Sequence, residues 1–599
     1  MAEEQTWRDR EAADEFRGVV LDPSRDPVPG LRAYTTVYAP GHLLISGGTD
    51  DAASALRSAG AELGWDIEFE TVGNPQRNGA PLTRARIIQL PRPDRDDEPV
   101  PVVDAWRLLQ LARRKALLAD VVGPIDVIRP ARPRPRDAAA PIGDRPDVVA
   151  APVADRPEDV AIDEDSAARI ASARRDIALA ASASVDRINL GPKREDPRYL
   201  RREGDAPALR GVGLDHVLTV DPIGLNPHGR TNPHGRTNPH GRTNPSGTEG
   251  YGYPGTGGLE IVSYVGPAPV RTLGLADNGR RPVVAIVDTG CGIHDPWLPA
   301  ETGTDDIVRR RLASPSGVGV VGIEDPNTDP EVYGDQAGPR DGFLDDAAGH
   351  GTFVAGIIRQ VCPEADLISV RVADSNGSVL ESELIVAVEE LADWVEGVGG
   401  NAPQHLDVLN LSLGYYHETP EDGRYSTRLH EALSRLRAKG CVVVCSAGND
   451  ATDRPTFPAA LWQWDGSELN LDEPDGLARH LAVGALNPQR TSVALYSNIG
   501  KWVGYFAPGT SVLSSFPSLT GGVQAGSRFD LYGRCRQGID PDDYTGGYAI
   551  WSGTSFAAPF VAGTIANALA PSLMAAAPNL VDPLVTALAA VESIDLSRN

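Results

Sequence analysis

The chain has little of what disulfide-rich, nucleic-acid-binding or membrane-spanning proteins need. It carries 5 cysteines in 599 residues, and their odd number and irregular spacing match neither a disulfide framework nor a metal-ligand pattern. The formal net charge of −26 disfavours binding to a phosphate backbone. No run of 18 apolar residues occurs, which argues against a membrane span. We therefore expect neither a nucleic-acid nor a membrane partner.

The start of the chain also lacks the features of a secretion signal. Residues 1–10 are charged, whereas a signal peptide combines a basic region with an apolar one. This favours a cytoplasmic location, in which cysteines stay reduced. Cys441 and Cys445 lie in an apolar, strand-like run, so we favour buried packing over metal binding for both.

Length and composition predict several folding units. A chain of 599 residues exceeds one ordinary core, and 63 Gly with 50 Pro predict many loops. We divide the chain into an irregular segment (residues 1–35), a small α+β domain (36–128), a linker (129–270) and a larger α/β domain (271–599).

The first domain is predicted from alternating strand and helix patterns. Apolar alternation predicts strands over 38–46, 66–72, 84–90 and 120–128, and helical spacing predicts helices over 50–63 and 103–118. The resulting order βαββαβ is typical of a ferredoxin-like α+β domain.

The linker contains an internal repeat of six residues. Residues 129–160 are rich in Pro, Arg and Asp, and 166–188 could form one Ala-rich helix. Asn-Pro-His-Gly-Arg-Thr then begins at Asn226 and recurs at Asn232 and Asn238. Because Pro and Gly in every period oppose both helix and sheet, we favour an exposed tether. Metal binding by the three repeat histidines is the alternative.

From about residue 270 short buried strands alternate with helices. Residues 283–287, 366–372, 408–413, 442–445 and 481–483 are apolar, and helical segments separate them. This alternation predicts a doubly wound parallel sheet, in which functional groups gather at the carboxyl ends of the strands. Asp288 lies at one such end.

Four polar residues in small-residue settings carry the chemistry. In chain order they are Asp288, His350, Asn449 and Ser555, in the segments Asp-Thr-Gly, Gly-His-Gly-Thr, Ser-Ala-Gly-Asn and Gly-Thr-Ser-Phe-Ala-Ala-Pro. A serine hydroxyl becomes nucleophilic beside an imidazole that a carboxylate orients. Ser555 and His350 both lie where a loop begins a helix, so the positive end of a helix faces each. Gly349 and Gly351 on either side of His350 allow the backbone to approach closely.

Residues 275–575 resemble the subtilisin-like serine peptidases on these motifs. The resemblance implies an endopeptidase with the catalytic residues Asp288, His350 and Ser555, which acts through an acyl-enzyme on Ser555, and it implies that the Asn449 amide supplies an oxyanion donor. The chain order Asp, His, Ser agrees with this family. The polypeptide substrate itself is not identified by any residue pattern.

Two further segments resemble the family's substrate-binding walls. Ser412, Leu413 and Gly414 resemble the strand that pairs with an extended substrate. Ser446, Ala447 and Gly448 would then form the opposite wall of the primary pocket. The alternative for both is a buried core strand followed by a turn.

Several positions depart from the family pattern. Phe353 stands where relatives often carry His, and Cys291 follows the aspartate motif; we expect both to pack. Residues 302–346 and 518–547 read as inserted loops. We expect no cofactor to be required. The acidic residues Asp341, Asp345 and Asp346 could bind calcium, but their spacing does not match a calcium-coordinating loop. We therefore favour a solvated acidic loop.

The domain order suggests a zymogen. The α+β domain matches in position the propeptide of this family, so we expect it to act as an intramolecular chaperone or inhibitor, with an autocleavage site within 221–258. A binding protein with a degenerate peptidase fold and an esterase are the competing classes.

Overall fold

A computed structural model gives the fold. It describes residues 18–21, 33–47, 50–73, 82–89, 102–122, 209, 211–220, 262–303, 305–337, 344–418, 427–465, 467, 471, 476–519, 528–532, 534–537, 544, 546–575 and 582–593. The predicted helix over 166–188, the Asn-Pro-His-Gly-Arg-Thr repeat and the proposed cleavage segment 221–258 lie outside these residues.

The first sheet is antiparallel and carries two helices. Its strands are Val19–Leu21 (β1), Thr36–Ser46 (β2), Trp65–Val72 (β3), Leu82–Gln89 (β4) and Val212–Val220 (β5), and its helices are Asp50–Leu63 (α1) and Ala105–Val122 (α2). The strand order is β5-β2-β4-β3, with β1 also paired to β2. Leu43 of β2, Leu56 of α1 and Trp106 of α2 meet in one buried cluster, because helical and strand spacing each turn one apolar face inward.

The last strand of this sheet is not where the sequence predicted it. The helix α2 continues to Val122, so the strand predicted over 120–128 is wrong at its start, and residues 123–128 lie outside the described part. The apolar spacing of α2 carries on through Asp120, which explains the longer helix. The sheet is completed instead by β5, almost 90 residues further along the chain.

The second sheet is parallel and has seven strands. They are Val283–Asp288 (β6), Val308–Arg309 (β7), Asp366–Arg371 (β8), Val408–Leu411 (β10), Val442–Ser446 (β12), His480–Leu486 (β13) and Tyr505–Pro508 (β14). Their order is β14-β13-β12-β10-β6-β8-β7. Both faces are apolar: Ile286, Val408 and Val444 belong to one buried cluster, and Val287, Leu409 and Val443 belong to the other.

Helices cover both faces of the parallel sheet, as predicted. The helices are His350–Val361 (α3), Glu381–Glu396 (α4), Thr427–Ala438 (α5), Thr554–Leu573 (α6) and Pro583–Ser593 (α7). Residues of α3, α6 and α7 join the first cluster, and residues of α4 and α5 join the second. In the described part of the chain, only α6 is long and apolar enough to cross a membrane, and 67% of its apolar window is buried inside the protein.

Short strands lie outside the parallel sheet. They are Ser378–Leu380 (β9), Leu413–Gly414 (β11), Val512–Ser515 (β15), Arg528–Leu531 (β16), Arg534–Gln537 (β17) and Tyr548–Trp551 (β18). The predicted insertion over 518–547 contains the antiparallel pair β16–β17. The predicted insertion over 302–346 contributes β7 at the edge of the parallel sheet.

One strand belongs to both halves of the protein. The strand β5 pairs with β2 in the first sheet, and its last four residues pair antiparallel with β9 and β11 of the second half. Val217 lies opposite Leu380, and Val220 lies opposite Leu413. The end of β5 therefore lies between the two strands that flank the carboxyl edge of the parallel sheet.

Candidate active site

Three strands of the parallel sheet deliver polar residues to the same edge. Strand β6 ends at Asp288, β12 ends at Ser446, and β10, which pairs with both, is followed by Ser412. Because parallel strands have their carboxyl ends on one side, these residues are neighbours by topology.

Asp288 and His350 are in direct contact. Nδ1 of His350 lies 2.8 Å from Oδ1 of Asp288, and both side chains are fully buried. The ring of His350 packs against the rings of Trp551 and Phe556, at centroid distances of 5.6 and 5.3 Å. Nε2 of His350 has no hydrogen-bond partner among the described residues. The imidazole is thus held by its Nδ1–H and presents Nε2 for proton transfer.

Glycine is required next to His350. A Cβ atom on Gly351 would lie 2.0 Å from the carbonyl oxygen of Gly290, and Gly349 has a φ of +79°. The first turn of α3 therefore packs directly against the backbone of the turn that follows Asp288, as the small residues around both motifs predicted.

Ser555 lies in the first turn of α6. The residue Pro559 has no N–H, so the helical bond to the Ser555 carbonyl cannot form, and the Ser412 hydroxyl donates to that carbonyl instead, at 2.9 Å. The hydroxyl of Ser555 lies 3.4 Å from the Ser412 carbonyl oxygen. The structure therefore brings Ser555 together with Ser412, and its neighbour Phe556 against His350.

Asn449 lies beside the start of the same helix. Its Oδ1 accepts a hydrogen bond from the backbone N–H of Thr554, at 2.8 Å. This contact fixes the amide with its oxygen toward the helix, so its NH₂ group is the part that can donate elsewhere.

The two segments predicted as substrate walls both lie at this edge. Leu413 and Gly414 form β11, which pairs with Val220 and Thr219 of β5. Ser446 and Ala447 are buried, and the backbone N–H of Gly448 donates to Thr554 Oγ1 at 3.0 Å. The strand β5 thus already pairs with the first of these two segments.

Glu331 is a residue of the site that sequence reasoning missed. Its Oε1 lies 2.5 Å from Thr289 Oγ1 and its Oε2 lies 2.5 Å from Thr352 Oγ1. The backbone N–H groups of Gly351 and Thr352 also donate to it, at 3.2 and 3.3 Å. Burial raises the pKa of Glu331 to about 7, although the hydrogen bonds from Thr289 and Thr352 lower it. Nothing in the sequence separates Glu331 from the other acids of its loop.

A buried histidine of β5 was also missed. Nδ1 of His216 lies 2.6 Å from Glu381 Oε2, and its Nε2 lies 2.7 Å from Glu418 Oε2. Burial opposes the charged ring, but the charges of Glu418 and Glu381 and their hydrogen bonds raise the pKa of His216 to about 10. For Glu418 burial also opposes the charge, but His417 and His216 hold its pKa well below its ordinary value.

The same cluster contains the donor atoms of a possible metal site. In the described part of the chain, His216, His417 and Glu418 have donor atoms within 4.8 Å of one another. Because both nitrogens of His216 already contact carboxylates, an ion-paired network accounts for the cluster.

The acidic loop considered for calcium has a hydrogen-bonding role at Asp345. Its Oδ2 accepts from the backbone N–H groups of Gln336 and Ala337, at 2.7 and 2.8 Å. Burial raises the pKa of Asp345 to about 6. Asp341 lies outside the described residues, and calcium binding here stays the alternative to a solvated acidic loop.

The two departures near the triad pack as predicted. Phe353 is fully buried and its ring lies 4.6 Å from that of Phe556. Cys291 is buried, and burial raises the pKa of its thiol to about 12.

Comparisons with known proteins agree on one family. The Subtilase family model matches residues 279–586, which is more than half of the chain. An "Intracellular serine protease" of Paenibacillus polymyxa is 29% identical over 301 residues, 48% of this chain and 67% of that protein. Subtilisin DY of Bacillus licheniformis is 29% identical over 272 residues, 43% of this chain and 78% of that protein.

Two further similarities were found. The "Major intracellular serine protease" of Bacillus subtilis (strain 168) is 26% identical over 300 residues, 48% of this chain and 68% of that protein. Among solved structures, a cold adapted subtilisin-like serine proteinase matches 54% of this chain and 87% of that chain, with 22% identity and a TM-score of 0.31.

Proposed function

Because the chain belongs to the Subtilase family and is a subtilisin-like serine endopeptidase, we propose that Asp288, His350 and Ser555 form its catalytic triad. The 2.8 Å contact between His350 and Asp288 supports this assignment. His350 Nε2 takes the hydroxyl proton as Ser555 Oγ attacks the peptide carbonyl carbon. The C–N bond then breaks, the amine leaves with that proton, and water hydrolyses the acyl-enzyme by the same route.

Two donors would stabilise the oxyanion of this reaction. The backbone N–H of Ser555 lies in the first turn of α6, where N–H groups have no helical partner. The Asn449 amide is the second donor, and its contact with the Thr554 N–H supports the orientation that this role needs. Protein groups and water carry every proton in the reaction, so we propose no cofactor for it.

The peptide substrate would bind as an added strand. Leu413 and Gly414 already pair antiparallel with β5, and a substrate main chain could make the same ladder. Ser446, Ala447 and Gly448 would form the facing wall of the pocket.

The N-terminal α+β domain would block this site in the uncleaved protein. The observation that carries this proposal is the end of β5, which lies as an antiparallel strand between β9 and β11. A substrate strand cannot occupy β11 while β5 does. The order β5-β2-β4-β3 with two helices supports a ferredoxin-like domain, to which β5 supplies the fourth strand.

Buried charges hold the domain in place. Besides the His216 contacts, Asp215 of β5 accepts from the N–H and the hydroxyl of Ser382, at 3.0 and 2.6 Å. Ser382 lies in the first turn of α4, where an anion is favoured by the free N–H groups and the helix dipole. A cation–π contact also joins the two domains, since the ring of Tyr34 lies 5.2 Å from the Arg454 guanidinium carbon.

Self-cleavage would then occur in residues 221–258. This segment starts directly after Val220, the last residue of β5. The chain thus enters the proposed cleavage segment from the candidate site.

The experiment compares full-length wild type with Ser555→Ala. Wild type should yield a shorter species and label with a fluorophosphonate at Ser555, whereas Ser555→Ala should stay full-length and unlabelled. Uncleaved wild type with full peptide turnover would refute the inhibitory role of the domain. An unlabelled wild type would indicate a degenerate site, and turnover of esters without peptides would indicate an esterase.

A further inference from the structure

We propose that Glu331 is a positioning residue of this peptidase: it fastens the turn that carries Asp288 to the helix that carries His350. Through Thr289 it also sets whether Asp288 receives a hydroxyl hydrogen bond. The inference rests on the triad proposed above. Glu331 itself contacts neither the reacting atoms nor the walls of the cleft.

Glu331 caps the start of α3 together with the Thr289 hydroxyl, which accepts from the N–H of Gly351 at 2.9 Å. The N-cap of α3 is Gly349, which has no side chain to bond the first N–H groups. Glu331 accepts from two of them, those of Gly351 and Thr352. Such groups have no partner within the helix, and a carboxylate near them is stabilised by the helix dipole.

The same carboxylate is joined to the turns on either side. Oε1 contacts the hydroxyl of Thr289, the residue after Asp288. Oε2 contacts the hydroxyl of Thr352, which in turn accepts from the N–H of Gly292 at 2.7 Å. Glu331 therefore fixes the distance between the two elements whose contact orients the His350 ring.

The Thr289 hydroxyl makes this arrangement sensitive to one proton. It has a single hydrogen and two acceptors, Glu331 Oε1 at 2.5 Å and Asp288 Oδ1 at 3.2 Å. When Glu331 is ionised, the Thr289 hydroxyl donates its hydrogen bond to Glu331. A protonated Glu331 donates its own O–H to Thr289 Oγ1, and the Thr289 hydrogen then turns to Asp288. No proton enters or leaves the triad in this exchange.

The charges around Glu331 allow both states near neutral pH. Burial and the carboxylates of Asp329 and Asp288 favour the protonated form, and the hydroxyls of Thr289 and Thr352 favour the ionised form. The Arg371 guanidinium and the buried Cys291 thiol also interact electrostatically with Glu331.

The test uses the full chain and a matched control. Glu331→Gln keeps the shape and offers an N–H to Thr289 permanently, while Glu324→Gln makes the same change at an exposed acid of the same loop. In a Ser555→Ala background with carbon-13-labelled glutamate, the carboxyl resonance of Glu331 should shift with pH, with a midpoint near 7. Glu331→Gln should abolish this step, Thr289→Val should raise its midpoint because a hydroxyl that favours the ionised form is lost, and Glu324→Gln should keep it.

Kinetics give the second readout. Glu331→Ala should lower kcat roughly 10- to 100-fold, as misplacement of catalytic groups does, with KM little changed, and Glu331→Gln should restore most of kcat. A resonance step that persists in Glu331→Gln, or Glu331→Ala with wild-type kcat, would overturn the inference. If wild type cleaves no peptide, the proposed function fails, while the resonance still tests Glu331.

Discussion

His216 Nε2 lies 2.7 Å from Oε2 of Glu418, with His216 on β5 and Glu418 in the peptidase domain. The other ring nitrogen lies 2.6 Å from Glu381. One buried imidazole of β5 therefore contacts two carboxylates of the peptidase domain. Because all three side chains are buried, water cannot replace these hydrogen bonds. Loss of one partner would therefore leave a buried charge unpaired.

The domain contact should depend on pH through this cluster. The pKa of His216 rises from 6.5 to about 10 in the folded protein, so its contribution is full below pH 6.5 and is lost as pH rises toward 10. The pKa of Glu418 falls from its ordinary 4.5, so its contribution is full above pH 4.5 and is lost on acidification. The contact should be most stable between about pH 4.5 and 6.5.

Thermal unfolding of Ser555→Ala at several pH values checks this window. Its Tm should fall between pH 6.5 and 9, and a second substitution, His216→Gln, should flatten that fall. Parallel pH profiles for the two proteins would contradict the role of His216.

Removing one backbone donor of β5 should expose the site. The N–H of Val220 donates to the Gly377 carbonyl oxygen at 2.8 Å, and Val220→Pro deletes it. An unpaired buried carbonyl costs about 1–3 kcal/mol, so the free site should become roughly 5- to 150-fold more populated. The initial rate of peptide hydrolysis by uncleaved protein should rise accordingly. Val220→Ala, which keeps the N–H, is the control, and equal rates would count against β5 as the blocking strand.

Asn449→Ala should slow the chemical step. Loss of one oxyanion donor costs about 100- to 1000-fold in kcat, and KM should change little because the amide acts mainly on the transition state. Steady-state kinetics on a peptide substrate measure both constants. Asn487→Ala is the control, since the Asn487 amide donates to Ser492 in a surface turn. An equal fall of kcat in Asn487→Ala would contradict a specific role of Asn449 in stabilising the oxyanion.

Four buried cysteines should resist alkylation in the folded protein. Burial raises the pKa of Cys291 to about 12 and that of Cys362 to about 11, and it also raises the pKa values of Cys441 and Cys445. At pH 8 iodoacetamide should leave these four thiols unmodified until the protein is unfolded. Mass spectrometry of peptides reports each site, and rapid labelling of Cys291 with loss of activity would show an accessible thiol.

The local part of the architecture could be predicted from the sequence. Apolar runs ending at Asp288 and Ser446 identified parallel strands and the edge at which they end, because each pattern spans only a few residues. Glycines next to His350 similarly indicated a close backbone approach, which the Gly290–Gly351 contact confirms.

The remote part could not be predicted. Pairing of β5 with β2 and β11 joins residues more than 160 apart, and no local pattern encodes a partner at that distance. Glu331 gave no signal either, because its role depends on hydroxyl and N–H groups of other elements. His216 and its neighbour Asp215 are polar residues within an apolar run, which predicts that they have buried partners but does not identify those partners.

The position of β5 in the chain bears on the order of events during synthesis. The first sheet lacks its edge strand until Val220 has been made, and Ser555 follows more than 300 residues later. At about 5–20 residues per second on the ribosome this interval is roughly 15–70 s. If the N-terminal domain covers the cleft as proposed, it can finish folding well before Ser555 has been made, so a nascent chain need never carry an uncovered cleft.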